Sequence, residues 1–296
     1  MDENGTTGAT PSAALGALRV AGVPEAFNLP FHHANFSQTL SREVRFISYP
    51  GGSGPMLQAV ETGEVDVAFA LTDCIVAGIE KGKPLRILGP VVKSPLTWAI
   101  IVSKDSSIQT TNELSKATWG ISRYGSGSHV MVQVLVKESK WEHEPKFVEC
   151  RNFDGLRSAV NDRKIDAFLW EYYTTRPFEE QGEVRIVGGI PTPWGCFSAV
   201  VRENCEVKDA LREMLNMFLE AGAAFVKNPE AAKEISEEHK MSEGDAATWL
   251  KGLRYANMGE TRIQTDTLEM TRKILLEAGV IEKIKFKDAV ERYHIS

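Results

Sequence analysis

Residues 49–73 read YPGGSGPMLQAVETGEVDVAFALTD, and this stretch decides the fold. The run Glu43 to Tyr49 leading into it alternates in polarity and breaks at Pro50-Gly51-Gly52, as a strand does at a turn. Pro55 sits where a helix can start, and Met56, Ala59 and Val60 share one face of the segment Met56 to Thr62. Val65 to Leu71 is a short apolar run of strand length. Thr72-Asp73 after it is a pair suited to cap a helix running to Lys81. Strand and helix therefore alternate, which calls for crossover connections and a mainly parallel sheet covered by helices on both faces.

Working outward, Leu18 to Val23 is an apolar run closed by Pro24, and Leu85 to Val92 is a further strand. Phe27 to Ser41 has room for one helix, with Pro30 tolerable only in its first turn. A second unit repeats the plan. Ala117 to Ser122, Lys146 to Cys150 and Ile165 to Trp170 read as strands, Ser126 to Ser139 and Phe153 to Asp162 as helices, and Glu183 to Ile190 closes it. Ala59-Val60 precedes Asp66-Val67-Ala68-Phe69 by the same step that separates Ala159-Val160 from Asp166-Ala167-Phe168, so one helix–turn–strand element recurs. The apolar, β-branched segments Leu96 to Ser103 and Gly195 to Val201 read as strands that pass between the units. After Val201 the pattern is helical: Val207 to Val226, a helix with Pro229 at its first position, Ala246 to Leu253, and Leu268 to Ala278. The expected fold is α/β and two-lobed, each lobe a mostly parallel sheet flanked by helices, with two hinge strands. The expected division is a flexible tail at 1–17, a first lobe from 18–98 plus 200–296, and a second lobe at 99–199.

The chain carries 40 acidic and 34 basic residues, a formal charge of −6, which argues against a nucleic-acid partner. No apolar run reaches the roughly 20 residues that span a bilayer, so no direct membrane insertion is expected. The N-terminal MDENGTTGATPSAALG lacks both the basic start and the apolar core of a secretory signal, and the expected location is the cytoplasm. Cys74, Cys150, Cys196 and Cys205 form no metal-ligand spacing and are expected as free thiols. The adjacent His32 and His33 point about 100° apart on a helix and cannot both face one metal, though one of them can reach a cleft.

Several motifs carry a resemblance. Tyr49-Pro50-Gly51-Gly52-Ser53-Gly54-Pro55-Met56, Gly63-Glu64-Val65-Asp66-Val67-Ala68 and Gly82-Lys83-Pro84-Leu85 resemble the first lobe of type II periplasmic-binding-protein-like proteins that take up aliphatic sulfonates, nitrate and taurine. That superfamily also holds the thiamine-pyrimidine synthases. Trp98 to Ser103 followed by Asp105-Ser106-Ser107-Ile108, and Tyr124-Gly125-Ser126-Gly127-Ser128-His129, resemble the crossover and the second-lobe binding loop of the same family. Without a signal segment, the chain is similar to an intracellular, eukaryotic branch of it. The resemblance implies a small-molecule binder with a cleft between two lobes.

In open α/β sheets ligands sit beyond the carboxyl ends of the strands, so the loops there name the candidate binding residues. They are Glu25, Gly52, Ser53, Thr72, Asp73, Trp98, Arg123, Tyr124, Ser126, Gly127, Ser128, Trp170, Glu171 and Tyr172. Gly52 and Ser53 open a helix, where backbone N–H groups meet an anion, or they form a plain turn. Ser126 and Ser128 can donate to a ligand, or Ser126 serves as a helix cap alone. Arg123 suits a carboxylate, sulfonate or phosphate. The aromatic residues suit a flat or partly apolar ligand, while Trp98 and Trp194 can equally be packing residues. No nucleophile elbow, phosphate loop or catalytic dyad is present, and no catalytic residue, metal or cofactor is expected. An enzyme like the thiamine-pyrimidine synthases is the alternative. The resemblance to that enzyme implies a cysteine-rich segment and an early lysine, yet the cysteines are dispersed and no lysine precedes Lys81. A ligand sensor or scaffold is a third reading, and a transporter partner is left open.

Overall fold

The computed structural model describes residues 16–283 and 290–296, so nearly all of the predicted N-terminal tail lies outside the described residues. Two five-stranded sheets form the body. The first holds β1 (Leu18–Gly22), β2 (Val44–Ser48), β3 (Val67–Leu71), β4 (Leu85–Val92) and, from much later in the chain, β10 (Phe197–Arg202). The second holds β5 (Thr97–Ser103), β6 (Thr118–Ile121), β7 (Lys146–Glu149), β8 (Ala167–Glu171) and β9 (Val184–Pro191).

The two sheets have one topology. Their orders are β2-β1-β3-β10-β4 and β7-β6-β8-β5-β9, and in each the fourth strand runs antiparallel to both neighbours. That strand is the one beside which the chain enters or leaves the other lobe. The linking segments are therefore short, residues 93–96 and 192–196. The strands β5 and β10, read from sequence as passing between lobes, each lie wholly in one sheet.

The repeat seen around Asp66 and Asp166 has a structural cause. The Arg19 N–H donates to Asp66 Oδ2 at 2.8 Å, and the Thr118 N–H donates to Asp166 Oδ2 at 2.7 Å. Each aspartate satisfies a backbone donor at the start of the neighbouring parallel strand, where no sheet partner reaches it.

Helices cover the sheets. In the first lobe they are α1 (Pro30–His33), α2 (Ser53–Thr62) and α3 (Thr72–Glu80); in the second, α4 (Gly127–Glu138), α5 (Phe153–Asn161) and α6 (Tyr172–Glu180). The C-terminal helices are α7 (Lys208–Phe225), α8 (Ala231–His239), α9 (Glu243–Gly252) and α10 (Thr265–Glu277). They return to the first sheet. Along α7, Leu211, Met214, Leu215, Phe218, Leu219 and Phe225 are buried at helical spacing. Phe218 packs between Phe31 and Phe69, with ring centroids 4.5 and 5.0 Å away. On α10, the Arg272 Nε donates to the buried Glu80 of α3 at 3.0 Å, and Tyr293 also donates to Glu80. No helix among the described residues is long and apolar enough to cross a membrane.

Four sequence expectations need correction. The single helix expected over Phe27 to Ser41 is a broken path, with α1 only four residues long between two 3-10 turns, Ala26–Asn28 and Phe36–Gln38. Pro30 is its first residue, as expected. The helix α2 begins at Ser53, so Pro55 is its third residue, still within the first turn where no N–H is needed. Pro229 stands before the helix α8, whose cap is Glu230. The helix α6 went unread because its sequence YYTTRPFEE is polar and interrupted by Pro177. Its start signal was Glu171, whose carboxylate accepts from the Thr174 N–H at 2.6 Å.

Candidate functional site

The parallel strands of both sheets point their carboxyl ends at one another, and a cavity of about 370 Å³ lies between them. Every loop in its wall follows a strand. Glu25 comes after β1, Pro50 to Ser53 after β2, Arg123 to Ser128 after β6, Asn152 to Asp154 after β7, and Trp170 and Glu171 end β8. Leu96, Trp98 and Phe197 form the floor at the hinge.

On the first lobe the wall is the N-terminus of α2. Gly52 has φ +76°, a left-handed conformation that glycine adopts without strain and that turns the chain from β2 into the helix. Ser53 is buried, and its Oγ accepts from the Leu71 N–H at 3.0 Å, which ties the helix start to the end of β3. The orphan N–H groups of the first turn of α2 face this end of the molecule.

On the second lobe the wall is the N-terminus of α4. Ser126 caps it, accepting from the His129 N–H at 3.4 Å. Its Oγ lies 2.9 Å from Ser128 Oγ, which itself accepts from the Ser122 N–H at 3.0 Å. If Ser128 donates to Ser126, the Ser126 hydroxyl hydrogen stays available to the cavity. Gly127 is at a close approach. A Cβ there would come within 2.8 Å of Leu71 Cδ1 and of the Trp98 ring, so the loop fits only with no side chain.

Arg123 bridges the two walls. Its guanidinium lies against Gly54 in the first turn of α2, where a Cβ would stand 2.7 Å from Nε. Nη1 reaches the Gly51 carbonyl at 3.4 Å, a weak hydrogen bond, and no carboxylate pairs with it among the described residues. A cation with no counter-ion at the positive end of a helix is an unbalanced charge. Trp98 adds a second unmet group: its Nε1 is buried and has no hydrogen-bond partner among the described residues.

Two carboxylates also line the cavity. Glu171 is buried, and desolvation raises its pKa although the Thr174 and Tyr173 N–H groups stabilise its charge. Glu25 faces it from the other lobe, and burial together with the Glu171 charge pushes its pKa up to about 8. Phe153 stacks on Trp170 at 5.0 Å and 14°, giving the second-lobe wall a flat aromatic surface.

A family model described as the Ca3427-like periplasmic binding proteins matches residues 98–190, which span the second sheet. The solved Candida albicans CA3427 product, described as defining a new family with the generic periplasmic-binding-protein fold, aligns with TM-score 0.80 and 29% identity over 94% of both chains. The chain has the two-lobed periplasmic-binding-protein fold. The binding-protein fold also aligns with an alkanesulfonate-binding protein from Xanthomonas axonopodis bound to MOPS, with TM-score 0.74 and 14% identity over 92% of this chain and 96% of that one. A Prochlorococcus marinus protein in complex with methylphosphonate aligns with TM-score 0.58 and 12% identity over 90% and 99%. No curated protein sequence matches the chain.

Of the residues named from sequence, the binding-protein fold brings Glu25, Gly52, Ser53, Trp98, Arg123, Ser126, Gly127, Ser128, Trp170 and Glu171 to the one cavity. Four do not line it. Thr72 donates to the Gly195 carbonyl at 2.8 Å and lies 2.9 Å from Ser198 Oγ, so it fastens α3 to the hinge. Asp73 points into the interior beside Cys74 and Trp194, where burial pushes its pKa up to about 6. Tyr124 is 63% exposed and turns its ring onto His129 and Phe147. Tyr172 is the first residue of α6 and packs against Tyr173.

The histidine pair does not reach the cleft either. His33 Nε2 lies 2.8 Å from Glu234 of α8, and His32 faces Glu238, so both histidines fasten α1 to a C-terminal helix. Residues missed in the sequence include Phe153, Asn152, Cys74 and Phe197. The Asn152 side chain accepts from the Gly155 N–H at 2.9 Å, a cap signal readable in Asn152-Phe153-Asp154-Gly155 that marks the strand-to-helix loop.

Proposed function

We propose that this chain is a solute-binding protein that closes its two lobes on one small anionic ligand with an apolar or aromatic body, and does not transform it. The lobes move about the two hinge segments, residues 93–96 and 192–196. The observation that carries the reading is the position of Arg123. It is a cation with no carboxylate partner among the described residues, held between the N-termini of two helices. Two helix dipoles and a guanidinium all favour negative charge at one place. The Phe153–Trp170 stack offers a surface for the rest of the ligand. Structures of similar fold contain a sulfonate buffer and methylphosphonate, which fits a tetrahedral or planar oxyanion at this pole.

The test is a thermal-melt screen of the purified chain against alkylsulfonates, alkylphosphonates, carboxylates and aryl analogues, followed by calorimetric titration. A ligand at about a hundredfold over its Kd adds about 2.7 kcal/mol, a shift of several degrees. Absence of any shift and any heat across the anion series would overturn the proposal.

A further inference from the structure

Outside the cleft, α1 and α8 bring together a second set of polar side chains. Glu234 and Glu238 stand one helical turn apart on α8, so both carboxylates leave the same side of the helix, where like charges repel. The short α1 ends in His32 and His33, and both turn toward that side. His33 Nε2 lies 2.8 and 3.1 Å from the two oxygens of Glu234. His32 Nδ1 lies 3.8 Å from Glu238 Oε1. One ligand atom each from His32, Glu234 and Glu238 all lie within 4.8 Å of one another. His33 and Glu234 are 201 residues apart, so only the packing of α8 beside α1 makes the group.

An ion pair accounts for the place of His33 but not for that of His32. At 3.8 Å the His32 nitrogen is too far from Glu238 for a hydrogen bond. Two ligand atoms on one tetrahedral zinc, each about 2.0–2.2 Å from the ion, stand about 3.4 Å apart, close to that spacing. The widest spacing in the group exceeds this by at most about 1.4 Å. The side chains of His32 and Glu238 are 60% and 45% exposed, so rotation about their χ angles closes the gap without moving the backbone.

We propose that His32, Glu234 and Glu238 form a divalent-metal site of the zinc class, with water completing the coordination. The two carboxylates match the charge of a divalent ion. The imidazole nitrogen selects zinc or a similar transition metal over magnesium and calcium, which take oxygen ligands. His33 stands about 100° further round α1 and is not a fourth ligand. Its Nε2–H donates to Glu234 and orients that carboxylate from outside the coordination shell. The ion fastens α8 to α1. His239, Lys240 and Met241, which follow Glu238, border a cavity of about 380 Å³ that Glu25 also lines, so the metal fixes a wall beside the cleft. Its role is structural and does not rest on the anion-binding reading.

The test is calorimetric titration of the untagged, chelator-treated chain with zinc, cobalt(II) and magnesium, with the visible spectrum of the cobalt form as a second readout. One zinc per chain is expected, with a cobalt band of four-coordinate intensity and no response to magnesium. The melting temperature should rise by several degrees at about a hundredfold over the zinc Kd. His32→Ala and Glu238→Gln lie at exposed positions and should each weaken zinc binding at least about 100-fold. His143→Ala, at an exposed histidine elsewhere, should leave it unchanged. In the wild type, zinc should shift the ring-nitrogen resonances of His32 and not those of His143, a reading that needs no variant. Absence of zinc binding, binding that persists unchanged in His32→Ala, or His32 resonances that zinc leaves in place each overturn the inference.

Discussion

Arg123 offers a test in which stability and affinity move in opposite directions. In the empty chain its guanidinium lies over the first turn of α2, at the positive end of that helix, with one weak bond to the Gly51 carbonyl at 3.4 Å. The like-charge cost there is about 0.3–1 kcal/mol, and the weak bond offsets only part of it. Arg123→Ala should therefore leave the melting temperature of the empty protein unchanged or raise it slightly. With an anion bound, the same guanidinium makes a charge-assisted bond whose loss costs about 1.5–3 kcal/mol, or about 10- to 150-fold in Kd. Arg123→Lys keeps the charge but not the planar fork, and should fall between the two. The assay is a thermal melt of each empty variant followed by calorimetric titration with the best anion from the screen. An empty variant that loses several degrees while its Kd stays at the wild-type value would refute the reasoning. Arg123 would then be a strap holding the lobes together.

Three further outcomes follow from the geometry. Ser126→Ala with Ser128→Ala removes the cap of α4 and the hydroxyl chain to Ser122, so it should lower stability by about 1–2 kcal/mol and weaken anion binding by about 1–3 kcal/mol, read by melting and titration together. Glu25 has a folded-state pKa raised to about 8 from an ordinary value of 4.5, so its contribution is fully favourable below 4.5 and is lost as pH rises toward 8. Asp73, raised from 3.8 to about 6, acts in the same direction at lower pH, whereas buried His129, with a lowered pKa, acts in the opposite one. The wild type should therefore lose stability relative to Glu25→Gln between pH 5 and 8 at up to about 1.4 kcal/mol per pH unit, and parallel stability curves for the two would dismiss Glu25 beside Glu171 as a titrating unit. Glu80→Ala removes the buried carboxylate that Arg272 and Tyr293 donate to and should cost about 3–5 kcal/mol in chemical denaturation, with ligand affinity unchanged in whatever fraction folds.

The amino-acid order by itself determined the alternation of strands and helices, because periodicity and turn residues act over a few neighbours. Leu85 to Val92 was legible to the residue, and the Asp66/Asp166 echo marked two lobes of one plan. It also determined most of the cleft loops, since in such sheets the loops after the strands must face the ligand. Local pattern failed where a tertiary partner decides. The stretch Phe27 to Ser41 is broken because Phe31 must reach Phe69 and Phe218, and α6 exists despite Pro177 because Glu171 caps it. Whether Thr72, Asp73, Tyr124 and Tyr172 line the cavity depended on which side of a strand end each side chain leaves, and no neighbour in sequence reports that. Only the tertiary structure brought Glu25 to Glu171 and set Arg123 over Gly54. Those meetings join groups from separate lobes, and their energies depend on distance and burial that exist only once both sheets have closed on one cavity.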